Sequence, residues 1–330
     1  MKSLLKALLV FTSILSLLIA TPCAAQIQVG SATTTKGPGK IKASELAKFK
    51  KTTTYFILQK KDYDNVEAFK NAIAKVWTVT PFKIITANEM NKLDYEKSSI
   101  FFFGGFNKVR EGKSTTQIHT HLSYDLFMLK ANKRGKLSQK IFGKFMLHLD
   151  SKAYFYVSKF AYASNKKFSN KVITYLYEEA SMSNWSPTMI AGYLKQINDG
   201  LQKEELRSVF KEHSDKEALS ALKNNTLYIP NYVTIKFNKF TGAEKDKDDD
   251  DEELKAVYPY DVQYITMEAL EEKVAASNQP IYYLSYVKSS TDKYISVFNS
   301  KTGAMLCTDY VPVSYNFKFK DLKRIKSKIK

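Results

Sequence analysis

The chain has 330 residues, 44% hydrophobic and 13% aromatic, enough to fill two ordinary cores, so a globular protein is expected. Lys and Arg number 51 against 33 Asp and Glu, a formal +18. Such a field favours phosphate-rich surfaces and solubility without defining a site. Apolar runs after residue 25 are strand-length, which excludes a polytopic membrane protein.

Lys2 and Lys6 make a short basic start. Leu4 to Ala20 is an apolar run broken only by Lys6, Thr12, Ser13 and Ser16, and Cys23-Ala24-Ala25 offers small residues to a peptidase. Residues 1–25 therefore read as a secretory signal peptide, with a mature chain from Gln26 in the periplasm, at the outer membrane or outside the cell. The apolar core is too short to anchor as a spanning helix, so the mature chain is expected to carry no transmembrane span. Cleavage there discards Cys23, leaves Cys307 without a disulfide partner, and lowers the formal charge to +16, because Lys2 and Lys6 go and no acid does. The alternative, lipidation of Cys23, is opposed by Thr21-Pro22, where a small residue should precede the cysteine.

Residues 26–51 are rich in Thr, Gly and Lys, with Gly37-Pro38-Gly39 as a breaker, and read as a linker. A first α/β module with a hairpin extension is expected over 52–165. Thr53 to Gln59 reads as a strand, followed by a helix that Asp64 caps and that Val66, Phe69, Ile73 and Val76 carry. Phe82 to Thr86 is the next strand, Thr86 with Glu89 forms a capping box, and Ser99 to Phe106 completes a β-α-β-α-β order. Thr116 to Lys130 and Lys140 to Leu149 read as an antiparallel hairpin around 132–136, and Tyr154 to Phe160 as a further strand.

Residues 166–225 read as a helical insert, with Ser169, Ser186-Pro187 and Asp215 as starts. Residues 226–330 read as a second module. Phe82-Lys83-Ile84-Ile85-Thr86 matches Val262-Gln263-Tyr264-Ile265-Thr266, and Phe101-Phe102-Phe103 matches Ile281-Tyr282-Tyr283, both at an offset of 180 without a gap. A duplication that equates 52–106 with 232–286 follows. Lys293 to Asn299 and Met305 to Asp309 form a hairpin, Val311 to Phe319 a last strand, and the C-terminus a basic tail. The fold class is thus α+β, two duplicated α/β modules with a β-hairpin and a helical insert between them.

Candidate chemistry is sparse. His119 and His121 share a strand face with Ser123 and Asp125, so His119, His121 and Asp125 could hold zinc or serve acid/base work, with His148 the only further ligand in reach. A polar outer strand face is the weightier reading. Cys307 lacks a CxxC partner and reads as a buried small residue. Gly104-Gly105 lacks a phosphate-loop context and reads as a bend or close backbone packing. The acidic run from Glu244 to Glu253 lacks the glycine and glutamate of a calcium loop and reads as a solvated loop. No cofactor is implied. Lys318, Lys320, Lys323, Arg324, Lys326, Lys328 and Lys330 crowd the end with only Asp321 opposing them. If Asp321 caps a helix there, Leu322, Ile325 and Ile329 form an apolar stripe that either rests on an anionic surface or packs on the second module. Export disfavours nucleic acid as a partner.

Ser289-Ser290-Thr291-Asp292-Lys293 and Ser314-Tyr315-Asn316 give the chain a resemblance to exported, lysine- and aromatic-rich envelope proteins of Gram-negative bacteria whose function is unassigned. Phe82-Lys83-Ile84-Ile85 and Phe102-Phe103-Gly104 make residues 52–106 similar to the α/β module of the TolB N-terminal and CsgG-like envelope proteins. That resemblance implies a role in envelope assemblies rather than catalysis. The expectation is a non-enzymatic envelope protein acting through protein or surface contacts. A metal-assisted hydrolase and a binder of anionic envelope polymer are the alternatives.

Overall fold

The structure, a computed structural model, describes residues 26–34, 37–111, 116–131, 137–159, 166–238, 240–245, 251–289 and 291–330. The expected signal peptide, Cys23 and much of the acidic run lie outside them. The described residues form an α+β protein built on two six-stranded mixed sheets.

The first sheet belongs to β1 (Ile27–Val29), β4 (Thr53–Ile57), β5 (Phe82–Ile85), β6 (Ser98–Glu111), β7 (Thr116–Ala131) and β8 (Leu137–Leu147). Its order is β5-β4-β6-β7-β8-β1. The parallel pairs β4–β5 and β4–β6 need crossovers. Helix α2 (Val66–Val76) supplies the first, burying Phe69, Ile73 and Val76, and the second is the 3-10 turn Ala87–Lys92. In that turn's capping box the Thr86 N–H donates to Glu89 Oε2 at 2.8 Å. Asp64 does not cap α2: residues Lys60–Asn65 form a 3-10 turn held by the Gln59 N–H donating to Asp62, which shifts the helix start to Val66.

Residues 26–51 are not a linker. Ile27 and Val29 are buried as β1 pairs antiparallel with β8. The ribbon β2 (Ser31–Thr34) and β3 (Gly37–Gly39) then leads to α1 (Ala43–Phe49), which buries Leu46 and Phe49. Low apolar content hid a short strand whose pairing is entirely tertiary. The expected strand from Tyr154 to Phe160 is helical over 154–159, its last residue lying outside the described ones. Asp150 accepts from the Ala153 N–H at 2.6 Å and starts α3 (Ser151–Lys159), which buries Ala153, Tyr154 and Val157 at helical spacing. Helix α4 (Lys166–Glu178) begins ahead of Ser169. Helix α5 (Pro187–Lys203) begins as expected, with Ser186 Oγ accepting from the Met189 N–H.

The second sheet runs β13-β10-β14-β15-β16-β9. Its strands are β9 (His213–Ser214), β10 (Leu227–Pro230), β13 (Val262–Ile265), β14 (Tyr282–Lys288), β15 (Lys293–Asn299) and β16 (Met305–Val311). The connections hold α6 (Lys216–Leu219), the ribbon β11 (Lys236–Phe237) with β12 (Glu244–Lys245), α7 (Asp251–Val257) and α8 (Met267–Ala276). Parallel and antiparallel pairings follow the same sequence as in the first sheet, strand for strand. The gapless offset does not hold. Thr54 sits between Phe82 and Ser99, 17 positions apart, whereas Leu227 sits between Val262 and Tyr282, 20 apart. The strand that answers Thr53–Ile57 is Leu227–Pro230, ahead of residue 232.

Val311 to Phe319 is not a last strand. Pro312 has no N–H for a ladder and Val313 turns with φ of 55°, so β16 ends and α9 (Phe319–Lys328) follows. Helix α5 packs on α2, β1 and β8 of the first module and on α8 of the second. Its Tyr193 continues a chain of rings, Phe56–Phe101–Tyr124–Phe145–Tyr193–Phe298–Tyr283, from one sheet to the other. One shared core thus uses much of the aromatic content. A second core lies under α9. No helix among the described residues is long and apolar enough to cross a membrane.

Candidate functional site: a basic face on the C-terminal helix

Helix α9 owes its position to its own sequence. Asp321 sits at the third helical position, where its carboxylate accepts from the Lys318 N–H at 2.8 Å and relieves one of the orphan donors of the first turn. The same carboxylate takes the Lys293 ammonium of β15 at 2.5 Å, with both side chains fully buried. Lys293 also donates to the Asn316 carbonyl at 2.7 Å. Around this pair Phe319, Leu322 and Ile325 enter the core with Val297, Leu306 and Cys307. Leu322 and Ile325 are therefore covered by their own module, and Ile329, half-buried at the C-cap, packs against the same core, so the stripe faces the protein rather than a bilayer.

What α9 leaves outside is charge. Lys318, Lys320, Lys323, Arg324, Lys326 and Lys330 are exposed, while Lys328 is half-buried in an ion pair with Asp309. Lys320, Lys323 and Arg324, spaced i, i+3, i+4, share one face with Lys326 on its flank. Exposed ammonium and guanidinium groups so arranged can meet several phosphates or carboxylates at once without desolvating a buried charge.

The histidine strand behaves differently from expectation. Leu122 and Tyr124 of β7 face the core, and Tyr124 Oη donates to the Ile57 carbonyl at 2.9 Å. The opposite face is not solvated, for His121 and Ser123 are buried and α3 packs across β6 and β7. Asp125 is half-buried and stands directly across from Lys144. Its Oδ2 lies only 2.6 Å from where a Cβ on Gly104 would be, so the bare glycine makes room for the carboxylate. The side chain of His119 lies outside the described residues. Among the described residues no three His, Cys, Asp or Glu side chains are placed to share a metal ion.

His148 is elsewhere, in a buried polar chain between the modules. Its ring lies against Tyr232 and Tyr286, and Nδ1 is 3.2 Å from the Tyr286 carbonyl, which can only accept, so Nδ1 carries the proton. Burial, then the nearby Lys288 charge, holds the imidazole well below its usual pKa and so neutral. Burial also pulls the Lys288 ammonium down to about 8. Asn184 accepts from the His148 N–H at 2.7 Å and donates to Tyr193 Oη at 3.0 Å, and Tyr193 Oη meets Ser285 Oγ at 2.5 Å. Ser285 Oγ donates to Gln26 Oε1 at 3.2 Å. The residue types are those of a hydrolase, but the geometry is not. Ser285 bonds to Tyr193 and Gln26 rather than to His148, and both Ser285 and His148 are sealed from solvent. The chain is a polar seam that fixes the modules to each other. Asn184, Ser285 and Gln26 had no sequence signal, being single polar residues in apolar surroundings. Cys307 is buried and free, and burial pushes its thiol up to about 12.

No protein-family model, curated protein or solved structure matches the chain.

Proposed function

We propose that this chain is an exported, non-enzymatic cell-envelope protein that acts by surface contact, and that the outer face of α9 meets an anionic, phosphate-bearing envelope surface. One observation carries the reading: six exposed cations stand on and beside a helix whose apolar residues are all spent on its own core. At an anionic surface each such cation contributes about 1 kcal/mol, so the face amounts to a few kcal/mol and reversible attachment. The leader-like start of the sequence supports an exported location, and the polar seam joins the two modules.

Co-sedimentation of Gln26–Lys330 with purified envelope fractions tests this. Screening contracts from ~10 Å at ~0.1 M salt to ~3 Å at ~1 M, so binding at low salt is expected to disappear at high salt. Binding that persists in high salt points to a specific protein contact instead and contradicts the reading.

A further inference from the structure

A second site lies at the joint of the modules. The segment after α5 first pairs Arg207 with Val29 on the outer edge of the first sheet, then lays His213 and Ser214 along β16 on the outer edge of the second. Between these attachments is a cleft of about 220 Å³ lined by Ile27, Leu206, Met305, Arg207, Lys211 and His213 among others. Ligand sites favour such joints.

Arg207 is the group there without an account. Its guanidinium is half-buried, and burial presses its pKa below the usual arginine value. Among the described residues it makes a single side-chain hydrogen bond, Nη1 donating to the neutral Gln196 Oε1, and no ion pair. A planar fork with unused donors matches a carboxylate bidentately. Glu205 and Glu212 also line the cleft but are exposed and screened by water, as is Lys211, and Asp199, which with Glu205 acts on the guanidinium from a distance, is taken up in its own ion pair with Lys195, so the guanidinium keeps donors free for an anion. Ile27 is fully buried beneath the cleft, while Met305 keeps a small exposed edge and Leu206 is an exposed aliphatic at 45%, giving apolar walls beside the cation.

We infer that this cleft binds a small organic acid, its carboxylate on the Arg207 guanidinium and a short aliphatic portion against Leu206 and Met305. The inference is independent of the basic face on α9. The test uses 4-methylpentanoate as probe on Gln26–Lys330, followed by calorimetry and by the methyl resonance of Met305. Saturable binding on the order of 1 mM is expected, with the Met305 methyl shifting in step. The uncharged 4-methylpentanol should bind at least ~10-fold more weakly, and Arg207→Gln should weaken the acid by a similar factor, since a charge-assisted bidentate contact is lost. Replacing Lys320, Lys323, Arg324 and Lys326 by Gln should leave the binding unchanged. Equal binding of acid and alcohol, an unshifted Met305 methyl, or full affinity in a folded Arg207→Gln variant would each overturn it. Should Arg207→Gln fail to fold, the Met305 shift and the acid-to-alcohol ratio in the wild-type chain decide alone.

Discussion

Lys293 and Asp321 meet at 2.5 Å with neither side chain touching solvent, one on a central strand and the other in the first turn of the helix that carries the basic face. A buried pair of this kind contributes little net stability, because desolvation offsets its Coulomb attraction, but breaking it strands a charge. Asp321→Asn should therefore destabilise the protein by about 3–5 kcal/mol, and Lys293→Met with Asp321→Leu together by much less. Urea denaturation of the single and double variants measures both. Equal losses would mean that the pair acts only through packing.

The contact between Tyr193 and Ser285 joins the insert helix to the second sheet. Tyr193→Phe removes a hydroxyl that also receives the Asn184 amide, leaving two buried polar groups short of a partner, at about 1–3 kcal/mol. Ser285→Ala should cost somewhat less. In a double-mutant cycle their coupling should be about 0.5–3 kcal/mol, and a coupling near zero would show that the two sites are independent.

His148 makes stability fall in mild acid. Its folded pKa is depressed by burial and then by Lys288, so between that value and the unfolded pKa near ~6.5 the unfolded chain holds more protons. The contribution is complete above the unfolded pKa and is lost as pH falls below it, with a slope of at most about 1.4 kcal/mol per pH unit. His148→Phe keeps a ring between Tyr232 and Tyr286 and cannot titrate. Its stability between about pH 6.5 and 5 should decline less steeply than that of the wild type. Parallel curves would place the acid sensitivity elsewhere.

Cys307 should be inert in the native protein. Its buried thiol has a pKa of about 12, so almost no thiolate forms near neutrality. A maleimide should label Gln26–Lys330 only when urea is present. Rapid labelling without urea would mean that β16 opens readily.

Much of the fold was legible because periodicity reports burial locally. The β4-α2-β5 run, the β7–β8 hairpin and the Ser186-Pro187 start of α5 each carry their signal within a few residues. The misses share a cause. Ile27–Val29 gains its strand state only by lying beside Phe145, far along the chain, and Tyr154 alternates well enough to pass for strand until Asp150 caps a helix in front of it. The repeat was visible as paired strands, but its true register needed the pairing partners Thr54 and Leu227. Of the site, the run of cations from Lys318 to Lys330 was plain, whereas the pairing of Lys328 depended on Asp309 of β16. Arg207 gave no signal at all, since a lone arginine in a connection looks solvated until the two sheet edges enclose it.

If the exposed cations of α9 are the binding surface, neutralising them should release the protein from the envelope. The direct measurement compares wild-type Gln26–Lys330 with a variant carrying Gln at 320, 323, 324 and 326, each co-sedimented with envelope fractions at low salt. All four side chains are exposed, so the fold should be unchanged. Loss of four contacts of about 1 kcal/mol each predicts binding weaker by on the order of a hundredfold or more. Wild-type binding retained in the folded variant, or no binding by either protein, would contradict it.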